Sequence, residues 1–111
     1  LLLAEMTSKG NLITEEYQHQ TIEMAKSYPD FIAGWITNQR LTDDPNHVHF
    51  TTGIKIGDLT DSLGQQYKTP EQAVSQGSDV LIVGRGIIHA SNPAETARLY
   101  RDVAWDAAVT C

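Results

Sequence analysis

The chain has 111 residues, 41% of them hydrophobic, which is enough for one modest core and unlike the composition of disordered, collagenous or disulfide-stapled proteins. Its net charge of −6 argues against a nucleic-acid or anionic-membrane partner, since either demands a basic face, so any anion it binds must be gripped locally. The single cysteine, Cys111, excludes an internal disulfide framework and suits a reducing, cytoplasmic setting.

Residues 1–6 form an apolar run of strand length. The run is too short for a signal-peptide core or a membrane span, lacks a basic flank and meets Glu5 at once. No turn or cap precedes it, so the chain reads as a fragment that starts inside a strand. Thr14 as N-cap, with Glu15 and Glu16 at the positive helix start, predicts a helix over about 15–27. Its expected inward stripe is Tyr17, Thr21, Met24, Ala25 and Tyr28. Strands are expected over 31–36 and 47–52, with a surface turn at Asp43-Asp44-Pro45-Asn46 between them.

A long polar segment follows, punctuated by Gly53, Gly57 and Gly64-Gln65-Gln66-Tyr67. Thr69-Pro70-Glu71-Gln72 has capping-box spacing with proline at the first helical position, predicting a helix that stops near Gly77. Residues 79–84 are an unbroken apolar run emptying into Gly84-Arg85-Gly86, the pattern of a parallel strand buried on both faces. Asn92-Pro93-Ala94-Glu95 opens a last helix, in which Ala97, Arg101, Ala104, Trp105 and Ala108 recur at helical spacing, so that the small residues and the tryptophan are expected to pack on the sheet while charges point outward. The order β-α-β-loop-β-α-β-α implies an α/β fold with right-handed crossovers and a parallel sheet. A doubly wound sheet and part of a (β/α)8 barrel both fit. Four strands are half of a barrel's eight, and a complete barrel takes about 250 residues.

Gly84-Arg85-Gly86 lets backbone N–H groups and a guanidinium approach one oxyanion, against the plainer reading of a glycine turn with an exposed arginine. The preceding loop adds weight, because loops after the last two strands of barrel enzymes often build a phosphate site. Gln65 and Tyr67 offer neutral donors beside Arg85, and the 54–68 segment reads as a lid, with a solvent-facing linker as its bland alternative. Thr7 and Ser8 put hydroxyls at the first strand's end, where such sheets collect ligands, although helix-capping residues have the same look. His47 and His49 alternate on a strand without a third ligand and read as surface or half-buried histidines, not a metal pair. Ser8, Asp79 and His89 hold the atoms of a triad but no nucleophile turn, and Cys111 has no activating motif, so nucleophilic catalysis is rejected.

Taken together, residues 3–10 (Leu-Ala-Glu-Met-Thr-Ser-Lys-Gly), 63–67 (Leu-Gly-Gln-Gln-Tyr) and 82–87 (Ile-Val-Gly-Arg-Gly-Ile) closely resemble the eukaryotic, especially fungal, orotidine 5′-phosphate decarboxylases. The resemblance spans nearly the whole chain, including Trp105-Asp106-Ala107 in that family's final helix. It implies a partial decarboxylase domain over 1–111: the C-terminal half of a (β/α)8 barrel, from the fifth strand to the eighth and last helix. The implied activity is conversion of orotidine 5′-monophosphate to uridine 5′-monophosphate in de novo pyrimidine biosynthesis, without cofactor or metal, by a cytoplasmic homodimer.

By similarity Thr7 contacts the pyrimidine, Gln65, Tyr67, Arg85 and the Gly84 backbone surround the 5′-phosphate, and Thr52 lines the ligand. Many members have serine in place of Thr7 and proline in place of Thr52. The family's catalytic Asp-x-Lys-x-x-Asp motif does not occur in these residues, so no catalytic residue is assigned and Lys9, Lys26, Lys55 and Lys68 are not promoted to that role. A non-catalytic phosphate-binding half-barrel is the alternative. Another barrel enzyme acting on a sugar or heterocycle phosphate would share Gly-Arg-Gly without needing the Gln65-Gln66-Tyr67 loop. Either way, an unclosed half-barrel is expected to aggregate or pair with itself when isolated.

Overall fold

The computed structural model describes residues 1–57 and 65–110. Four parallel strands, β1 (Leu2–Leu3), β2 (Gly34–Ile36), β3 (Val48–Thr51) and β4 (Val80–Leu81), lie side by side in chain order. Helix α1 (Glu15–Ser27) connects β1 to β2, and α2 (Pro70–Ser75) leads into β4. Helices α3 (Arg85–Ile88) and α4 (Pro93–Val109) follow β4. This is the α/β alternation expected, and each strand falls within its anticipated segment but is shorter. The outer strands β1 and β4 have a pairing neighbour on one side only and run for two residues each.

The helix starts follow their capping chemistry. Extended Thr14 accepts the Tyr17 N–H at 3.2 Å, and Thr69 and Gln72 form a reciprocal box at 2.9 and 3.2 Å. Asn92 accepts the Glu95 N–H ahead of α4, with Pro93 at its first position. The turn at 43–46 is closed by Asp44, which accepts the Asn46 N–H at 2.9 Å. The four-residue α3 was not anticipated: it encloses Gly86, a residue that reads as loop in sequence.

Two small clusters make the core. Ala4, Ala25, Ile32 and Trp35 join α1 to β2, while Ile54, Ala73 and Tyr100 join α2 and α4 to the segment after β3. Only Thr21 and Ala25 of the α1 stripe are buried. Tyr17, Met24 and Tyr28 are exposed, because α1 covers a narrow pair of short strands that reaches only the middle of the stripe. In α4 the expected stripe is also corrected. Tyr100 is the buried residue and Trp105 is 67% exposed, because α4 packs on α2 and α3 rather than squarely on the sheet.

Strand register places Leu3, Ile36, Phe50 and Val80 in one row across all four strands, and therefore on one face. Leu3 and Val80 are exposed and Ile36 and Phe50 half-buried, so this apolar row lacks a full cover. The other face carries Trp35, His49 and Thr51, all buried.

His49, expected at or near the surface, is fully buried; His47 is half-buried. The reason is a specific network. His49 Nε2 accepts the Leu41 N–H at 3.0 Å, leaving Nδ1 to face Asp79 Oδ2 at 3.2 Å, and both ring nitrogens are thereby engaged within the protein. Asp79 Oδ2 also accepts the His49 N–H at 2.8 Å, and Oδ1 meets Arg40 at 3.1 Å. Partial burial pushes the Asp79 carboxyl up, but the hydrogen bonds from His49 and the Arg40 guanidinium outweigh it and hold the group below the usual carboxylate range.

A folded-state pKa below the unfolded one stabilises above the ordinary carboxylate value, and that contribution disappears as pH falls through the folded value. Asp79→Asn should therefore lower the unfolding free energy at neutral pH by about 1 kcal/mol, given the carboxylate's partial exposure. The deficit should shrink below about pH 4. Trp35, whose ring centroid is 5.5 Å from that of His49, reports the transition by fluorescence. A constant deficit down to pH 2 contradicts the assignment.

Candidate functional site

Parallel α/β sheets collect ligands beyond the carboxyl ends of their strands. Thr7 lies in the segment after β1, Thr52 directly after β3, and Gly84 and Arg85 shortly after β4. Gln65 and Tyr67 sit on the arm that returns toward α2. Thr52, Gln65, Tyr67, Gly84 and Arg85 border one open cavity of about 170 Å³, which Ile82 also lines. Thr7 joins them through its hydroxyl, which accepts from Gln65 Nε2. Thus all six residues singled out from sequence come together, although separate segments carry them.

Backbone pairing builds the frame. The Gln66 N–H donates to the Thr7 carbonyl at 3.2 Å, and Ser8 and Gln65 form an antiparallel bridge. On the other side, the Lys55 N–H donates to the Lys68 carbonyl at 3.0 Å and the Lys68 N–H to the Gly53 carbonyl at 2.9 Å. These ties align the two stems of the 54–68 segment read as a lid; its middle, residues 58–64, with Leu63 and Gly64 of the quoted motif, lies outside the described residues.

The Tyr67 ring sits near two cations, with Lys55 Nζ 5.0 Å and Arg85 Cζ 5.8 Å from its centroid. Lys68 points elsewhere: its Nζ donates to the Asn38 carbonyl at 3.0 Å and braces the stem. Burial pulls the Lys68 ammonium below its ordinary value, and the nearby Glu5 carboxylate pushes the other way.

Three contributors escape a sequence reading. Gly53 has φ +69°, and a Cβ there would stand 2.7 Å from Gln65 Nε2 and 2.8 Å from Thr7 Oγ1, so the missing side chain is what lets those groups meet. Its place after Thr51-Thr52 at a strand end is a weak signal. Lys55 is an ordinary loop lysine until the fold sets it against Tyr67. Tyr100 lies on α4, far along the chain, yet its hydroxyl accepts the Ile56 N–H at 2.9 Å.

A larger cavity, about 870 Å³, is a separate groove between α2, β4 and α4. Val80, Leu81, Val83, Ile87 and Trp105 line much of it, and such a wall suits packing better than recognition of a polar ligand. No helix among the described residues is long and apolar enough to cross a membrane.

Comparison with known proteins is consistent along the chain. The family model for Orotidine 5'-phosphate decarboxylase / HUMPS family matches residues 1–100. The chain is 42% identical over 116 residues to an orotidine 5'-phosphate decarboxylase of Passalora fulva, and 43% identical over 115 residues to one of Coccidioides immitis. Each alignment takes in 96% of this chain and 42% of the relative. A uridine 5'-monophosphate synthase of Bos taurus is 42% identical over 108 residues, covering 96% of this chain and 22% of that protein. The chain thus spans less than half the length of these relatives. With a family match over residues 1–100 and such identity over nearly all its length, the chain belongs to the orotidine 5'-phosphate decarboxylase / HUMPS family.

Proposed function

We propose that the chain is the substrate-gripping, C-terminal half of a (β/α)8-barrel orotidine 5′-phosphate decarboxylase, which makes uridine 5′-monophosphate in de novo pyrimidine synthesis. The observation that carries this reading is the convergence of Thr52, Gln65, Tyr67, Gly84 and Arg85 on one cavity, with Thr7 tied to Gln65. Arg85 supplies fixed positive charge to the 5′-phosphate, Gln65 and Tyr67 supply neutral donors, and the Gly84 backbone, lacking a side chain, permits close approach. The Thr7 hydroxyl faces the pyrimidine, and Thr52 lines the ligand. Grip on a non-reacting phosphate contributes to catalysis when its binding energy is spent holding the ring in the reactive geometry.

The reacting groups belong to the Asp-x-Lys-x-x-Asp motif, which is not among these residues and which this reading places upstream of Leu1. There the bond from ring to carboxylate breaks, carbon dioxide leaves, and the electron pair left on the ring carbon takes a proton from the lysine. No cofactor or metal enters. The complete protein is read as a cytoplasmic homodimer.

Two features support the half-barrel part of the proposal. A parallel sheet is ordinarily covered on both faces, and here the row Leu3, Ile36, Phe50 and Val80 is partly bare. In a closed barrel such residues become the packed interior, and the open edges of β1 and β4 find partners.

The test is a hybrid in which this chain replaces the matched segment of the Passalora fulva relative. Release of carbon dioxide from orotidine 5′-monophosphate is the expected result. A folded hybrid that neither turns over the nucleotide nor binds uridine 5′-monophosphate contradicts the proposal. A second reading is a non-catalytic phosphate-binding module. Coding sequence upstream of the Leu1 codon separates the two: the motif in frame supports the enzyme, and a start codon just before Leu1 supports the module.

A further inference from the structure

We infer that Tyr100 is a positioning residue for the ligand cavity: its one hydroxyl locks the Tyr67 arm to the Gly84-Arg85-Gly86 turn. Tyr100 is 5% exposed and does not itself line the cavity; it packs with Ile54 and Ala73 behind it. Its oxygen accepts the Ile56 N–H at 2.9 Å, 44 residues away in sequence. On its other side the same oxygen occupies the space where a Cβ on residue 86 would stand, and Cζ lies 3.2 Å from that point. Gly86 is therefore glycine because a side chain would evict Tyr100.

The mechanical path is short. Ile56 adjoins Lys55, whose N–H donates to the Lys68 carbonyl, and Lys68 adjoins Tyr67. Holding Ile56 thus sets the height of Tyr67, while filling the gap at Gly86 sets Arg85, and the Arg85 guanidinium comes to 5.8 Å from the Tyr67 ring. The Lys55 stem runs through the same place, with its Cγ 3.7 Å from the absent Gly86 Cβ. Two anion-facing groups carried by separate segments keep their spacing because one buried phenol is shared between their supports. A rigid support of this kind is what a preformed site requires, since misplacement of about 1 Å is costly.

The inference deepens the phosphate reading above and rests on it, so the experiment reads the two separately. In the hybrid enzyme, Tyr100→Phe removes the acceptor while keeping the ring. It should raise KM for the nucleotide by up to about tenfold, as expected for loss of one part-buried hydrogen bond that holds the arm, and leave kcat/KM for the phosphate-free nucleoside unchanged. Gly86→Ala should mimic it, and the loss from Gly86→Ala should be smaller in the Tyr100→Phe background, where the obstructing oxygen is gone. Hydrogen exchange at the Ile56 and Lys55 amides should accelerate in Tyr100→Phe while exchange along α4 stays constant.

Equal losses on both substrates, or unchanged nucleotide kinetics, overturn the positioning role. Unchanged exchange at Ile56 overturns it whatever the kinetics. Arg85→Ala, run alongside, isolates the other failure: if that variant loses nucleotide and nucleoside turnover alike, the phosphate assignment falls, and Ile56 exchange still decides whether Tyr100 holds the arm.

Discussion

Arg85→Ala in the hybrid enzyme should lower kcat/KM for orotidine 5′-monophosphate by about 10- to 150-fold while leaving turnover of the phosphate-free nucleoside nearly unchanged. The range follows from about 1.5–3 kcal/mol for a hydrogen bond to a charged group. Arg85 borders the cavity with Gln65, Tyr67 and Gly84, and among the described residues no other arginine or lysine lines it. Lys55 approaches the Tyr67 ring and keeps some positive field in the variant, which places the expected loss inside this range and not beyond it. Arg85→Lys restores charge without the planar fork and should recover part of the loss. The decisive measurement is the ratio of the two specificity constants. A fall shared equally by nucleotide and nucleoside assigns Arg85 to folding and removes it from the site.

Much of this architecture is legible where local chemistry decides it. The start of α1 at Glu15 follows from Thr14 and two acidic residues, and the start of α2 follows from the Thr69–Gln72 box; both depend on neighbours within one turn. Strand positions are legible for a related reason, since apolar runs between glycine and polar punctuation have little else to form. What the sequence hides is burial. Periodicity marks a helix face as apolar but does not say which neighbour covers it, so Tyr17, Met24 and Trp105 belong to correct helices and yet are exposed. Helix α3 is hidden because its four residues contain Gly86, and glycine is a poor helix former that reads as loop.

The candidate site divides along the same line. Arg85, Gln65 and Tyr67 are recognisable because donor-rich side chains beside glycines carry their chemistry with them. His49 shows the opposite case: a strand histidine reads as a surface residue until Asp79 and the Leu41 amide are brought to its two ring nitrogens. Gly53 and Tyr100 act by shape and by a single long-range hydrogen bond, and neither property has a local sequence signature. Positions that carry chemistry are therefore readable earlier than positions that hold it in place.

Gly53→Ala should be the most damaging single-methyl change at the cavity, and its signature should differ from that of Arg85→Ala. At φ +69° an alanine meets a backbone cost of about 1–2 kcal/mol. Its Cβ would also press on Gln65 Nε2 and Thr7 Oγ1, at 2.7 and 2.8 Å, and the Thr7–Gln65 contact must open to admit it. Because Gln65 is assigned to the phosphate and Thr7 to the ring, one methyl group should disturb both ends of the ligand. The expected result is a fall of at least about tenfold in kcat/KM for nucleotide and nucleoside together. Gly53→Asn separates the causes, since asparagine tolerates positive φ but still carries a Cβ. If asparagine is as harmful as alanine, collision with Thr7 and Gln65 dominates; if it restores activity, backbone strain was the cause and the close meeting of those two side chains is not required.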